Sequence, residues 1–188
     1  MSQAYFTNMM DFKNILKLNQ YLCFDGGMGT MLQARGLPAG VSPEVFCLER
    51  PDVLRSIHKE YLLAGADIIT TNTFGGTGFK LPDGLEVESF NREMAVSARA
   101  AIEAAKAGGV TDRPLFVAGS MGPTGHFLRP LGPLTFAELV AAFRAQVRGL
   151  IQGGVDLILA ETHFDLGELR ALAVAVREAC DLPFGASM

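Results

Sequence analysis

The fold of this chain is organised around the stretch YLCFDGGMGTMLQ (residues 21–33). The stretch opens with a short apolar run of strand type, and the carboxylate of Asp25 then stands directly before Gly26 and Gly27. Glycine lets backbone N–H groups approach a ligand closely, and α/β sheets and barrels hold their sites at the carboxyl ends of strands. The stretch therefore indicates either a binding site or a tight strand–helix turn with a solvated aspartate.

The composition restricts the classes of protein to which the chain can belong. It has 188 residues, of which 49% are hydrophobic, enough for one domain core. The net charge of −4 and the absence of a basic cluster argue against nucleic acid, and no apolar run approaches the ~18 residues of a membrane span. Residues 1–20 lack the pattern of a signal peptide. Three cysteines without a CxxC motif predict a reduced, cytoplasmic protein with no disulfides.

Strands and helices are predicted to alternate after an N-terminal extension, residues 1–20, that carries one short helix near 11–18 lying below the core. The predicted strands are 21–25, 67–72, 115–118, 155–160 and 182–187. The predicted helices are about 30–34, 51–65, 88–107, 135–152 and 165–179, and the last two begin at the capping patterns Thr135/Glu138 and Asp165/Glu168. The segments 37–49 and 73–86 are predicted to be loops.

Strands separated by helices predict a parallel sheet, either an open doubly wound sheet or a closed barrel. An internal repeat favours the barrel, because Asp156 follows Asp67 by 89 residues and Glu161 follows Asn72 by the same interval. Alternate strands form equivalent layers in a (β/α)8 barrel. Residues 21–188 are therefore predicted to be the N-terminal part of such a TIM barrel, about four βα units and a fifth strand.

Four polar side chains fall at the predicted carboxyl ends of strands: Asp25, Asn72, Ser120 and Glu161. Two carboxylates suit an ammonium group and the amides of Gly26 and Gly27 suit a carboxylate, so together they predict an amino-acid site. The acids could equally form a general acid/base pair, or bond structurally to neighbouring loops.

Other polar residues give weaker signals. His58 is predicted to be solvated, His126 to lie in a glycine–proline loop and His163 to edge the pocket. Cys23 is predicted to be a small core residue. The barrel interior is predicted to receive the inward-facing side chains Ile68, Val117, Leu157 and Leu159.

Four motifs in order, FDGGMGTMLQ (24–33), GADIITTNTF (65–74), GSMGPTG (119–125) and LILAETHFDL (157–166), resemble the homocysteine S-methyltransferase family. The stretch 41–67 is most similar to the N-terminal, homocysteine-binding domain of cobalamin-dependent methionine synthases. The resemblance implies methionine biosynthesis, with Asp25, Gly26, Gly27, Asn72, Ser120 and Glu161 lining the homocysteine pocket. It assigns no residue as catalytic.

The resemblance also implies cofactors and partners. Family members bind homocysteine through a zinc ion held by cysteines after the sixth and eighth strands, and the zinc-bound thiolate takes a methyl group from methylcobalamin carried on another domain. Those cysteine positions would lie past Met188, so no metal ligand is expected in this chain. The expected partners are homocysteine and the folate and cobalamin domains of a longer protein, and neither nucleic acid nor a membrane.

Several alternatives stay open at this point. Betaine or S-methylmethionine could replace methylcobalamin as the methyl donor. The chain could be a non-catalytic binding or assembly fragment, or an unrelated barrel lyase or isomerase that uses Asp25 and Glu161 as acid and base. Half a barrel also leaves open sheet edges and an uncovered apolar face, which predict self-association and an inactive isolated fragment.

Overall fold

The computed structural model describes residues 12–17, 21–110 and 113–188, and the remainder of the predicted N-terminal extension lies outside these residues. The boundary at residue 20 therefore stays a prediction. The helices are α1 Phe12–Leu16, α2 Met28–Ala34, α3 Pro43–Glu49, α4 Pro51–Ala64, α5 Val87–Ala107, α6 Phe136–Gln152 and α7 Leu166–Ala179. The strands are β1 Ile68–Thr70, β2 Phe116–Met121, β3 Leu157–Ala160 and β4 Phe184–Ala186.

The sheet is parallel throughout, and its strands lie side by side in chain order, β1-β2-β3-β4. A doubly wound sheet reverses its strand order at a switch point, whereas a barrel adds each strand beside the last. The order therefore confirms the barrel-type prediction. The predicted strand 21–25 is reduced to a single parallel bridge between Phe24 and Ile68, with the Asp25 amide donating to Ile68 O at 2.8 Å.

The predicted internal repeat has a physical counterpart at the amino ends of the strands. The Asp67 carboxylate accepts the Cys23 amide at 2.8 Å, and the Asp156 carboxylate accepts the Val117 amide at 2.7 Å. In return, each aspartate amide donates to the carbonyl of the same residue, at 2.8 Å in both places. Both aspartates thus fix the register between adjacent strands in the same way, as expected of equivalent positions in a barrel.

The two faces of the sheet pack against different partners. Ile68, Phe116 and Leu157 point inward and are covered by Phe12 and Ile15 of α1, as predicted for the short helix below the core. The rings of Phe12 and Phe116 meet edge to face with centroids 5.0 Å apart. The expected bare apolar face is therefore largely covered at these described residues, since α1 fills it.

The prediction that Val117 faces inward is wrong. Val117 is fully buried on the opposite face, together with Ile69, Ile158 and the helix layer. Strand alternation explains this arrangement, because Phe116 and Ala118 occupy the inward positions of β2 and the residue between them must point the other way.

Helix ends follow the sequence signals with two exceptions. The capping box of α6 is present: Glu138 N–H donates to Thr135 Oγ1 at 3.3 Å, and Thr135 N–H donates to Glu138 Oε2 at 2.7 Å. Asp165 caps α7, but Glu168 does not complete a second box, because its carboxylate accepts hydrogen bonds from Thr124 instead.

The second exception is the segment 37–49, predicted to be a loop, which contains α3. Ser42 caps this helix by accepting the Val45 amide at 3.1 Å, and Pro43 occupies its first turn. Serine followed by proline is a helix-start signal that the loop prediction overlooked. Within the described ranges, the helices are too short or too polar for a membrane span.

Candidate functional site

A cavity of about 500 Å³ opens at the carboxyl edge of the sheet, between the glycine turn 26–29, the start of α3, the loop after β1 and the ends of β2 and β3. A smaller neighbouring cavity of about 300 Å³ shares Gly26, Thr70 and Glu161 with it. The larger cavity is lined by the predicted residues Gly26, Gly27, Asn72, Ser120 and Glu161, and the smaller by Asp25, Gly26 and Glu161. The structure thus brings all six predicted site residues to one place.

Asp25 is held by the strand beside it. Its Oδ2 accepts the Thr70 amide at 2.9 Å, and its Oδ1 accepts the Thr70 hydroxyl at 3.1 Å. Burial raises the pKa of Asp25 to about 6; the bonds from Thr70 act against this rise, and the nearby charge of Glu161 adds to it. Two neighbouring carboxylates, one of which raises the pKa of the other, favour a cation between them.

Glu161 follows β3 directly and lines both cavities. Its amide donates to Met121 O at 3.0 Å, and Thr162 adopts a left-handed conformation with φ of 60°. The Thr162 amide donates to Ser187 Oγ at 3.3 Å, which ties this turn to the end of β4. Burial raises the pKa of Glu161, and a hydrogen bond with Ser120 opposes that rise.

Asn72 and Ser120 are buried, and both also form hydrogen bonds that hold the walls of the site together. The Asn72 amide group donates to Pro43 O at 2.9 Å, which holds the start of α3 against the cavity. The Ser120 amide donates to Thr71 Oγ1 at 3.0 Å, and its carbonyl accepts the Thr73 hydroxyl at 2.7 Å. These contacts join the loop after β1 to strand β2.

The glycines of the first motif allow a close approach by a neighbouring side chain. A Cβ on Gly26 would lie 3.0 Å from the Tyr61 hydroxyl oxygen, so a larger residue would crowd that ring. The Tyr61 hydroxyl also donates to Gly27 O at 3.3 Å. The turn that presents Asp25 is thereby anchored to α4.

Sequence reasoning did not identify several further residues that line the site, among them Glu44, Thr70, Phe74 and Lys80. Glu44 is buried and accepts the Gly75 amide at 2.7 Å, and a Cβ on Gly75 would lie 2.6 Å from that carboxylate oxygen. Thr70 could have been predicted from the sequence, because strand alternation places it on the same face as Asn72. Phe74 ends the motif 65–74, but nothing in the local sequence marks Lys80.

The three histidines lie away from the cavity wall. His58 is fully buried in α4, which contradicts the solvated position predicted for it, and burial lowers its pKa to about 4. His163 is buried and lines neither cavity, so it does not edge the pocket as predicted; its Nε2 lies 3.2 Å from Met121 O. His126 is in the predicted loop, exposed, with its ring centroid 5.3 Å from that of Phe79.

The cysteines do not form a metal centre. Cys23 is exposed, in contrast to its predicted place in the core, because the segment 21–25 is an edge of the sheet; Cys47 is buried and Cys180 half-buried, and none is paired. Over the described parts of the chain, no three His, Cys, Asp or Glu residues come together as a metal site. The residues present therefore do not fit a zinc ion.

A second surface depression, of about 550 Å³, lies between α6 and α7 and is lined by residues such as Arg144, Arg148 and Glu178. Arg144 and Glu178 form an ion pair across it. This depression is on the outer helical layer, whereas parallel α/β folds hold their chemistry at the carboxyl ends of strands. The cavity at the sheet edge is therefore the candidate site.

The fold and this cavity define a class of protein: a partial (β/α)8 barrel with an acid-lined pocket at its carboxyl edge. The sequence pattern of the homocysteine S-methyltransferase family matches residues 22–188, and the chain belongs to that family. The resemblance seen in the four motifs is thereby confirmed.

Solved structures of MmuM, a homocysteine methyltransferase from Escherichia coli, share the fold. The metallated form is 28% identical with a TM-score of 0.80, and the match covers 93% of this chain and 65% of that one. The oxidized form is 29% identical with a TM-score of 0.81, covering 92% of this chain and 64% of that one. This chain thus spans about 65% of the length of its structural relative.

Proposed function

We propose that this chain forms the homocysteine-binding part of a homocysteine S-methyltransferase. The observation that supports this most is the pairing of Asp25 and Glu161 at one cavity, each with its pKa raised by burial. In a family of homocysteine methyltransferases, two such carboxylates suit the substrate's ammonium group. Asn72 and Ser120 line the larger cavity that adjoins it, and the Gly26 and Gly27 amides complete the proposed substrate site.

In this proposal the role of the chain is to orient the substrate. A substrate clamped at its ammonium group by Asp25 and Glu161 can direct its side-chain sulfur toward the cavity mouth and a methyl donor. Holding a reactant in one geometry removes an entropic part of the barrier. Neither acid then has to act as a general base, and both are binding residues.

Three details go beyond this proposal: the metal ion, the methyl donor and the subgroup of the family. Zinc supplies a thiolate when it binds a thiol, but the described residues do not fit a zinc ion, so no step is derived through it. A corrinoid is far too large for a cavity of about 500 Å³. Methylcobalamin would therefore not be held there, and assignment to the methionine synthase subgroup, supported by the stretch 41–67, stays a proposal, as does a cytoplasmic location.

One observation favours a second candidate. A pKa of about 6 for Asp25 suits a general acid or base, so an unrelated barrel lyase or isomerase that uses Asp25 and Glu161 has a chemical basis. Membership of a methyltransferase family weighs against it.

The test uses a matched pair of ligands. L-Homocysteine and 4-mercaptobutanoate differ only in the ammonium group, and binding of both to the chain is measured calorimetrically under reducing conditions. We expect Glu161→Gln to weaken homocysteine binding about 10- to 100-fold, which is the value of a charge-assisted hydrogen bond, and to leave 4-mercaptobutanoate unaffected. Glu178→Gln on α7 is the matched control. Wild-type protein that binds the two ligands equally would refute the proposal.

A further inference from the structure

Lys80 stands on the wall of the candidate site and has no role in the proposal above. Among the described residues that line the larger cavity, it is the one cation, and Glu44 and Glu161 line the same cavity. Lysine on an exposed loop is ordinarily solvated, so its position requires further evidence before it counts as part of a site.

The first line of evidence is that Lys80 rests on a fixed support. Its ammonium nitrogen lies 5.2 Å from the centroid of the Phe74 ring. Phe74 is locked in turn, because its ring fills the place where a side chain on Gly122 would be: a Cβ there would lie 2.5 Å from the ring. The Gly122 amide also donates to Phe74 O at 3.0 Å. The aromatic ring therefore holds the ammonium group near the cavity.

The second line of evidence is that no acid of the described site is paired with Lys80. The Glu44 carboxylate, which lines the same cavity, accepts the Gly75 amide instead. Lys80 takes part in none of the ion pairs found among the described residues. Its charge is available to a ligand.

From these contacts we infer that Lys80 recognises the carboxylate of an amino-acid ligand in this cavity. An amino acid at neutral pH carries an ammonium group and a carboxylate. Glu161, which lines both adjoining cavities, and Asp25 of the smaller one suit the ammonium group, and Lys80 of the larger one suits the carboxylate. The inference rests on the proposed function and deepens it, since it assigns the second charged end of the substrate. Lys80 and the amides of Gly26 and Gly27 are therefore alternative partners for that carboxylate.

A carboxylate could come from either amino-acid reactant, homocysteine or an amino-acid methyl donor such as S-methylmethionine. Two pairs of probes separate these sources. L-Homocysteine is compared with 3-aminopropane-1-thiol, and S-methylmethionine with (3-aminopropyl)dimethylsulfonium; each second compound lacks only the carboxylate.

The experiment measures the affinity of each probe for the wild-type chain and for Lys80→Gln, Lys80→Arg and Lys59→Gln. Lys59 is an exposed lysine on α4 away from the cavity and serves as the control. We expect Lys80→Gln to weaken binding of one carboxylate-bearing probe about tenfold, to leave its decarboxylated partner unchanged, and to be rescued in part by Lys80→Arg.

Each outcome has a defined meaning. A selective loss for homocysteine, or a selective loss for S-methylmethionine, supports the inference and identifies the source of the carboxylate. Equal binding of all probes by wild type and Lys80→Gln overturns it, and the Gly26 and Gly27 amides then remain as the carboxylate site. Failure of wild-type protein to distinguish homocysteine from 4-mercaptobutanoate refutes the proposed function itself, and the two failures are therefore distinguishable.

Discussion

Asp25 and Thr70 are joined by two hydrogen bonds across the edge of the sheet, one from the Thr70 amide at 2.9 Å and one from its hydroxyl at 3.1 Å. These bonds favour the ionised carboxylate, yet burial outweighs them and raises the pKa of Asp25 from its ordinary 3.8 to about 6. Between those two values the folded chain binds more protons at this site than the unfolded chain does. The contribution of Asp25 to stability must therefore decrease as the pH rises through this window.

The first prediction follows from this decrease in stability with rising pH. Between pH 4 and 6, the free energy of unfolding of wild type should include a term that falls with rising pH by up to about 3 kcal/mol. Asp25→Asn removes this term, so its stability should depend less on pH, although Glu161, whose pKa is raised too, keeps part of the slope. Urea denaturation at several pH values measures the effect, with Asp83→Asn as an exposed control. If the free energy of unfolding of Asp25→Asn depends on pH as steeply as that of wild type, a group other than Asp25 is responsible.

The second prediction concerns ligand binding over the same pH range. The ammonium group of homocysteine stays protonated, whereas Asp25 loses its negative charge as the pH falls through about 6. Homocysteine affinity should therefore decrease about tenfold from pH 7 to pH 5 in wild type and less in Asp25→Asn. Calorimetric titration at both pH values measures this. A pH dependence of equal size in the variant would exclude Asp25 as the partner of the ammonium group.

The third prediction concerns the buried contact between Glu168 and Thr124. Glu168 Oε1 accepts the Thr124 amide at 2.7 Å and its hydroxyl at 2.6 Å, which joins α7 to the loop after β2. Glu168→Ala would leave two buried donors without a partner and should cost about 2–4 kcal/mol of stability. The comparison is Glu138→Ala, which removes the exposed capping contact of α6 and should cost about 1 kcal/mol. Equal losses in chemical denaturation would argue against a special role for Glu168.

The fourth prediction compares two helical glycines. A Cβ on Gly149 of α6 would lie 2.2 Å from Glu88 O on α5, whereas a Cβ on Gly29 of α2 would meet nothing within 4 Å. Gly149→Ala should therefore destabilise the chain by about 1–3 kcal/mol through overpacking. Gly29→Ala should instead stabilise it by about 0.5–1 kcal/mol, because alanine favours the helix. Thermal unfolding of both variants tests whether the close approach of α5 and α6 decides if a glycine-to-alanine change lowers or raises stability.

Local patterns predicted which residues come together at the candidate site, and tertiary contacts decided what those patterns missed. Asp25, Asn72, Ser120 and Glu161 could be placed together because parallel strands end at one edge and their side chains alternate. The partner of Glu168 could not be predicted, since the side chain either caps its own helix or reaches Thr124, 44 residues away in sequence. The burial of His58 was missed for the same reason, because its place on α4 was judged without the elements that pack over it.

The position of Lys80 illustrates the same limit within the site. Its support on Phe74 depends on Gly122, and Gly122 belongs to a different loop. Sequence patterns describe one element at a time, so a cation held between two loops leaves no local signal. The segment 37–49 is a different case, since Ser42 and Pro43 marked a helix start that could have been recognised.

The last prediction concerns the edges of the sheet. Among the described strands, β4 pairs only with β3, so its outer edge carries backbone groups without a strand partner. An unprotected edge is a template for pairing with a second chain. Because Phe12 and Ile15 cover much of the inner apolar face, edge pairing is the stronger route to association. We expect the purified chain to form dimers or larger species as its concentration rises.

The edge variant that tests this is Ala186→Lys, which places a charge on an exposed position of β4 and should shift the chain toward monomer. Ala107→Lys, at an exposed position at the end of α5, adds the same charge away from the edge and should change nothing. Size-exclusion chromatography with light scattering measures the mass of all three proteins across a concentration series. A wild-type chain that stays monomeric would contradict the prediction, and an equal shift in both variants would show that net charge, rather than the β4 edge, controls association.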